Sequence, residues 1–399
     1  QNPTFGGTES AGTYKDDSGF GSFKYKPPSG FLSLCTRNLP EPPIKNPQDY
    51  HRSILHTGTD HKGQSVRGIN FKADLIWTKP YSTADQWIIN DTVRGVHNYL
   101  YFSHSTANTA HTTGVMSTNT DGMSWNTWNN VNGDGRDFVT WAWKAGGDKG
   151  TFNVDDVGYD SLVEMKDRSG VDIRGASIGS GNITPSGCSI NTTSKFGIYK
   201  YTGVGGGNLV HGLGTTPGWA MVKNLANDHW FCYCYDRSGT AHYYINSGGT
   251  QNASGQITTV DDTKIYLGSD NGVNESGDSY IAYVWSPVEG YSAMGHYRGN
   301  ESTDGPFVYT GFRPAFLLIK NLSGNHWALF DSSRDPDNPV RCRLHTDLSN
   351  ATNAGAGDTI LFLSNGFRCT KNDDLENGSG DTMMFVAFAE APYKYASAR

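Results

Sequence analysis

The sequence predicts an all-β protein made of tandem β-sandwich units of the concanavalin or jelly-roll type, three internal repeats in one chain. Three observations carry that expectation: a landmark pattern that recurs three times, apolar runs too short for helices and closed by turn residues, and a composition suited to short strands. Over 399 residues there are 49 glycines, 12% aromatic and 18% charged residues. Aromatic and β-branched residues fill pleated, half-buried surfaces, and glycine supplies the turns between them.

The recurring landmarks are a glycine, a lysine at the end of an apolar run, a tryptophan, an Asp/Arg pair, and an Asn-Gly-rich turn before an aromatic run. They read Gly58, Lys79, Trp87, Asp91 with Arg94, and Asn132 to Asp137; then Gly203, Lys223, Trp230, Asp236 with Arg237, and Asn274 to Asp278; then Gly299, Lys320, Trp327, Asp331 with Arg334, and Asn377 to Asp381. Glycine-to-lysine spacings are 21, 20 and 21 residues, and lysine-to-tryptophan spacings are 8, 7 and 7. Self-similarity at fixed intervals is the signature of a repeat architecture. The lysine-to-lysine offsets of 144 and 97 residues place an insert of about 50 residues between the first and second units. The expected divisions are 1–48 (the tail of an upstream sandwich and a proline-rich linker), 49–145 (unit one), 146–195 (insert or connector), 196–291 (unit two) and 292–399 (unit three).

Within each unit, Leu75-Ile-Trp-Thr-Lys79, Trp219-Ala-Met-Val-Lys223 and Phe316-Leu-Leu-Ile-Lys320 read as one buried strand, since short apolar runs between turn signals fit a strand covered on both faces. Phe138 to Trp143, Tyr280 to Trp285 and Met383 to Phe388 read as a second. A unit of about 95 residues with several such strands has the size of a sandwich, whereas a propeller blade is about half that length. The insert has its own alternation and reads as extra strands, a long hairpin on a neighbour, or a connector. Long helices are not expected.

Composition excludes several partners. The net charge of −7, without blocks of like sign, argues against nucleic acid. No apolar run reaches the length of a membrane span, so no membrane insertion is expected. The cysteines, Cys35, Cys188, Cys232, Cys234, Cys342 and Cys369, do not recur at matching positions and read as ordinary thiols. No metal or cofactor motif is present, so the expectation is no metal and no cofactor.

Gly30-Phe-Leu-Ser-Leu-Cys-Thr-Arg-Asn-Leu-Pro-Glu-Pro42 resembles the closing motif of SPRY-like, concanavalin-type sandwich domains in structural proteins of large marine bacteriophages. Gln1-Asn-Pro-Thr-Phe-Gly-Gly7 is similar to the tail of a segment that precedes that motif. The lysine-centred units, ending Ala387-Phe-Ala-Glu-Ala-Pro-Tyr-Lys-Tyr-Ala-Ser-Ala-Arg399, look like the repeats that follow it in tail-fibre proteins. The resemblance implies an upstream domain, a virion or fibre location, homo-oligomers such as a trimer or fibre, and other virion proteins as partners. It supplies no catalytic residue.

Candidate chemistry is weighed against fold. Lys79, Lys223 and Lys320 with Asp91, Asp236 and Asp331 could hold an anionic or hydroxylated ligand once per unit, but a lysine at a strand end and a nearby Asp/Arg pair more often close strand edges and loops. Trp87, Trp230 and Trp327 read as core anchors. Trp125 and Trp128, with Asn126 and Asn129, form a polar stretch absent from the other units and are the candidate carbohydrate platform, flat apolar faces beside amide donors. The Asn-Gly-Asp turns could be calcium loops, yet fit hairpin turns better. Gly175-Ala-Ser177-Ile-Gly179 spells a nucleophile elbow without the helix it needs. The expected function is therefore a non-enzymatic virion component of the tail-fibre or appendage kind that contacts a host-surface glycan or receptor. A self-assembling architectural protein is the alternative, and a polysaccharide depolymerase is third.

Overall fold

A computed structural model describes residues 12–35, 38, 42–112, 114–174, 182–226, 228–234, 243–250, 256–352 and 360–390. The protein is all-β: among the described residues six sheets carry 28 strands, and the three α-helices are short.

The sheets pair into three sandwiches. Each has an inner sheet with the same four antiparallel strands in the same order. In the first sandwich these are His51–Thr57, Asp137–Trp143, Leu75–Pro80 and Ile88–Asp91. In the second they are Phe196–Thr202, Ser279–Trp285, Trp219–Asn224 and Trp230–Cys234. In the third they are Ser292–Arg298, Thr382–Ala389, Pro314–Asn321 and Trp327–Asp331. The outer sheets likewise match: Gln64–Arg67, Gly122–Trp125 and Val115–Asn119; Gly207–Val210, Lys264–Leu267 and Ile257–Val260; Phe307–Tyr309, Gly366–Cys369 and Ile360–Leu363.

The inner sheets are covered on both faces, which explains why their central strands read as unbroken apolar runs rather than alternating ones. Alternate residues of each strand go to different cores. Val139, Trp141 and Trp143, with Ile281, Tyr283, Trp285, Met384, Val386 and Phe388, enter one hub shared by all three sandwiches. The residues between them face the private core of their own sandwich: Ala142 in the first, Tyr280, Ala282 and Val284 in the second, Met383, Phe385 and Ala387 in the third.

The region between the first and second units joins the second inner sheet. Phe152–Val154 and Val157–Tyr159 form a hairpin, and Pro185–Asn191 pairs antiparallel with Phe196–Thr202 and parallel with the hairpin. A helix, Leu162–Ser169, follows the hairpin. It is a departure from the strand-only expectation, and its local cause is plain: Ser161 Oγ accepts from Glu164 N at 3.2 Å, Glu164 Oε2 accepts from Asp160 N at 3.0 Å, and Gly170 ends the helix at φ 78°. The elbow spelling at 175–179 and the segments 1–7 and 391–399 lie outside the described residues.

The hairpin expectation for the Asn-Gly turns is corrected: each leads from an outer-sheet strand across to an inner-sheet strand, and a buried amide locks it. Asn132 Oδ1 accepts from Thr59 N, Asn274 Oδ1 from Val204 N and Asn377 Oδ1 from Asn300 N, at 2.8–3.0 Å. Their Nδ2 groups donate to loop carbonyls, among them His61, Leu267 and Ser302. Opposite each sits the landmark glycine, whose N–H donates to Arg136, Asp278 or Asp381 O. A Cβ on Gly58, Gly203 or Gly299 would come within 2.2, 2.0 or 2.2 Å of a facing carbonyl oxygen. Gly58→Ala, Gly203→Ala and Gly299→Ala are each expected to destabilise the fold by about 2–4 kcal/mol in denaturant titration, because backbone rather than a flexible side chain must move. Losses below about 0.5 kcal/mol would show that these turns are not close-packed in solution.

Candidate functional site

The lysine strands alternate toward the hub, so Leu75, Trp77 and Lys79 point the same way, as do Trp219, Met221 and Lys223, and Phe316, Leu318 and Lys320. The lysines thus form the last layer of the hub at one end, fully buried. Each ammonium donates to main-chain carbonyls, and one of these belongs to a neighbouring sandwich. Lys79 Nζ reaches Pro80 O and Asp85 O at 2.8 Å and Ser349 O at 3.2 Å. Lys223 Nζ reaches Asn224 O at 2.7 Å and Ser105 O at 3.3 Å. Lys320 Nζ reaches Gly248 O at 2.8 Å, Gly324 O at 3.4 Å and Asn325 O.

The recurring tryptophans repeat this cyclic rule. Trp87 Nε1 donates to His345 O and Leu348 O in the third sandwich, Trp230 Nε1 to Tyr101 O in the first, and Trp327 Nε1 to Tyr244 O in the second. In all three seams the carbonyl that takes the ammonium lies four residues after one that takes an indole N–H: Tyr101 and Ser105, Tyr244 and Gly248, His345 and Ser349.

The Asp/Arg pairs are staples behind the seams. Arg94 Nε meets Asp91 Oδ2 at 2.5 Å, its Nη2 donates to Ile89 O, and Tyr283 of the second sandwich donates its hydroxyl to Asp91 Oδ2 at 2.7 Å. Arg334 Nε meets Asp331 Oδ2 at 2.6 Å, its Nη2 donates to Leu329 O, and its guanidinium lies 5.7 Å from the Trp141 ring of the first sandwich. Asp236 and Arg237 lie outside the described residues. Lysine and aspartate do not come together on a shared site: Lys79 and Lys320 spend their donors on carbonyls, while Asp91 and Asp331 are held by arginines.

Burial pushes the Lys79 ammonium down to about 7 and those of Lys223 and Lys320 to about 8, against the pull of Asp85, Asp228 and Asp347. With values below the ordinary 10.5, the folded chain sheds these protons before the unfolded one. The cost of burying the charges therefore eases as pH rises from 7 towards 10.5.

The carbohydrate platform is also corrected. Trp125 is wholly buried in the private core of the first sandwich, because Gly122–Trp125 is the central strand of the outer sheet and this residue points inward. Trp128 is half-buried, stacked by His111 with ring centroids 4.1 Å apart and packed by Tyr99 at 4.7 Å. Asn126 is turned into the loop, donating to Thr112 O and accepting from Thr127 N, and Asn129 starts a four-residue helix. The two indoles do not share an exposed face.

Among the described residues, no cluster of three or more His, Cys, Asp or Glu could hold a metal ion, and no helix is long and apolar enough to cross a membrane. Burial pushes the thiols of Cys188, Cys232 and Cys369 up to about 12, which keeps them protonated and poor nucleophiles.

Sequence reasoning missed His51. It stands in the hub against Trp143 and Phe388, with ring centroids 4.6 and 4.9 Å away, and Nδ1 is 3.1 Å from Ala142 O. The corresponding residue of the second sandwich is Phe196, since His51 pairs with Trp143 as Phe196 does with Trp285. That difference between units was the available signal.

Two outcomes are expected. Lys79→Met, Lys223→Met and Lys320→Met should each lower stability by about 1–3 kcal/mol in denaturant titration, because relief from burying a charge is outweighed by the carbonyls left unpaired. A gain in stability would show that the ammonium bonds are not made. Burial also pushes His51 down to about 3. The unfolded chain takes up this proton below about 6.5 and the folded one does not, so the stability given by the neutral ring is lost as pH falls from 6.5 towards 3. His51→Phe removes that dependence. The stability of the variant relative to the parent should rise by about 3 kcal/mol between pH 7.5 and pH 4, and a flat difference would mean that His51 protonates in the folded state.

No curated protein matches the chain. A family model does, described as Domain of unknown function (DUF7483), over residues 46–177 and 174–392, two stretches that overlap between the first and second sandwiches and together take in all of the hub but Ile44. With that coverage, the chain belongs to the DUF7483 family.

Proposed function

We propose that this chain is a non-enzymatic structural component of a bacteriophage virion, a rigid module of a tail fibre or appendage that holds surface loops toward a host glycan or receptor. One observation carries the reading: the lysine and the tryptophan that recur in all three units are spent on binding the sandwiches to one another. Lys79, Lys223, Lys320, Trp87, Trp230 and Trp327 all end in bonds across seams. A repeated catalytic or ligand-binding set would face solvent instead. The resemblance of Gly30 to Pro42 and of the lysine-centred units to tail-fibre proteins supports the virion location, with copies of itself and other virion proteins as partners.

A second reading, a self-assembling architectural protein, is favoured by one feature. Phe307 and Tyr309 are 48% and 70% exposed on an edge strand of the third outer sheet, an aromatic stripe suited to contact between copies. Electron microscopy with gold-labelled antibody against the chain, on phage particles that carry this sequence, separates the two. Label on tail fibres or appendages is expected. Label confined to free filaments, with particles bare, would replace the first reading by the second, and label on neither would end both.

A further inference from the structure

The three seams are not equivalent. Beside the second inner sheet, the edge of Phe196–Thr202 is covered by Pro185–Asn191, whose Gly187 is close enough to Val93 of the first sandwich that a Cβ there would touch it at 3.4 Å. The corresponding edge of the first sandwich, His51–Thr57, has no such cover among the described residues. In its place is a cleft of about 170 Å³ between the first and third sandwiches, with His51, Arg52, Ser53, Ser332, Ser333 and Glu390 in its wall.

Two residues of the cleft wall each carry a buried polar atom without a partner among the described residues, His51 Nε2 and Ser53 Oγ. The His51 side is fixed in character. Ala142 O can only accept, so Nδ1 carries the imidazole proton and Nε2 presents a lone pair. The corresponding residues elsewhere are apolar or small: Phe196 and Ile198 in the second sandwich, Ser292 and Met294 in the third. The polar wall is thus particular to this seam.

We propose that this cleft binds one ring of a neutral polyhydroxylated ligand, a single sugar residue. It rests on the glycan-contacting part of the reading above and moves the contact from Trp125 and Trp128 to the seam. A ligand here must bring hydrogen-bond donors, because a neutral imidazole lone pair and the Glu390 carboxylate both accept. Hydroxyls satisfy that demand, whereas a carboxylate or a fully ionised phosphate group brings no donor. Arg52, without an ion pair among the described residues, can donate to ring or hydroxyl oxygens, while Glu390 is anchored by Arg313. Ser333 Oγ already donates to Ser53 O at 3.2 Å and holds the two sandwiches at the width of the cleft. At about 30 Å³ per liquid water the space equals between five and six waters, the scale of one sugar ring rather than an oligosaccharide.

The test is ligand-observed saturation-transfer NMR on the whole chain with glucose, galactose, mannose and N-acetylglucosamine at millimolar concentration. His51→Phe removes the acceptor and gives this position the ring that the second sandwich already carries at Phe196, and Ser332→Trp fills the opening. Transfer to at least one sugar is expected with the parent, reduced about tenfold in either variant, with thermal midpoints within a few degrees of the parent. No transfer to any of the sugars overturns the proposal. So does transfer that persists in both variants. An absence of transfer together with gold label on appendages would sink this site and leave the virion reading standing, while sugar transfer with unlabelled particles would do the reverse.

Discussion

Three sheets that are apolar on both faces cannot each be stable beside water, and the hub is what resolves that. Every inner sheet buries one face in its own sandwich and the other against its two neighbours, so no sandwich has a complete core without the others. The hub packs through aromatic edges and faces: Trp143 meets Trp285 at 68° and Trp77 meets Trp219 at 78°. Such pairs have a preferred geometry and add to plain burial. Several indole N–H groups there, those of Trp77, Trp141, Trp143 and Trp285, have no conventional acceptor among the described residues. Ring faces in edge contact offer a weak substitute. The lysine and tryptophan layer then solves a second difficulty, the loop carbonyls that the seams would strip of water, by supplying a donor to each.

Much of this was legible in the sequence. The glycine, lysine, tryptophan and asparagine landmarks fell on matching strands and turns because each does the same mechanical task in every unit, and the doubly buried strands announced themselves as continuous apolar runs. The cyclic arrangement was not legible, and the reason is chemical. The acceptors at Tyr101, Ser105, Tyr244, Gly248, His345 and Ser349 are main-chain carbonyls, which leave no mark on side-chain identity. Trp125 misled because its polar neighbours in sequence point the other way on a strand of period two, while the indole itself goes inward. The helix at Leu162–Ser169 had a legible start in Ser161 and Glu164, outweighed by the strand character around it.

Recurrence and singularity carry different information here. What repeats, the lysine, the tryptophan, the buried asparagine and its facing glycine, accounts for how the body holds together. What does not repeat is where the units diverge for some other reason. His51 and Ser53 stand where Phe196 and Ile198 stand in the second unit, and the strand Pro185–Asn191 covers one edge and not the corresponding one. A polar ring in an aromatic hub costs stability in acid and would be replaced by phenylalanine if packing alone decided.

The lysine layer also makes the hub lopsided. Lys79 pairs with Val139 and Lys320 with Met384, at one end of strands whose other end carries Trp143 and Phe388. The ammonium and indole bonds across the seams therefore gather at one end of the hub, while the other end is held mainly by rings packed against rings. A body bonded at one end and packed at the other behaves as a hinge: a force that prises the sandwiches apart opens the packed end first and reaches the carbonyl-bound lysines last.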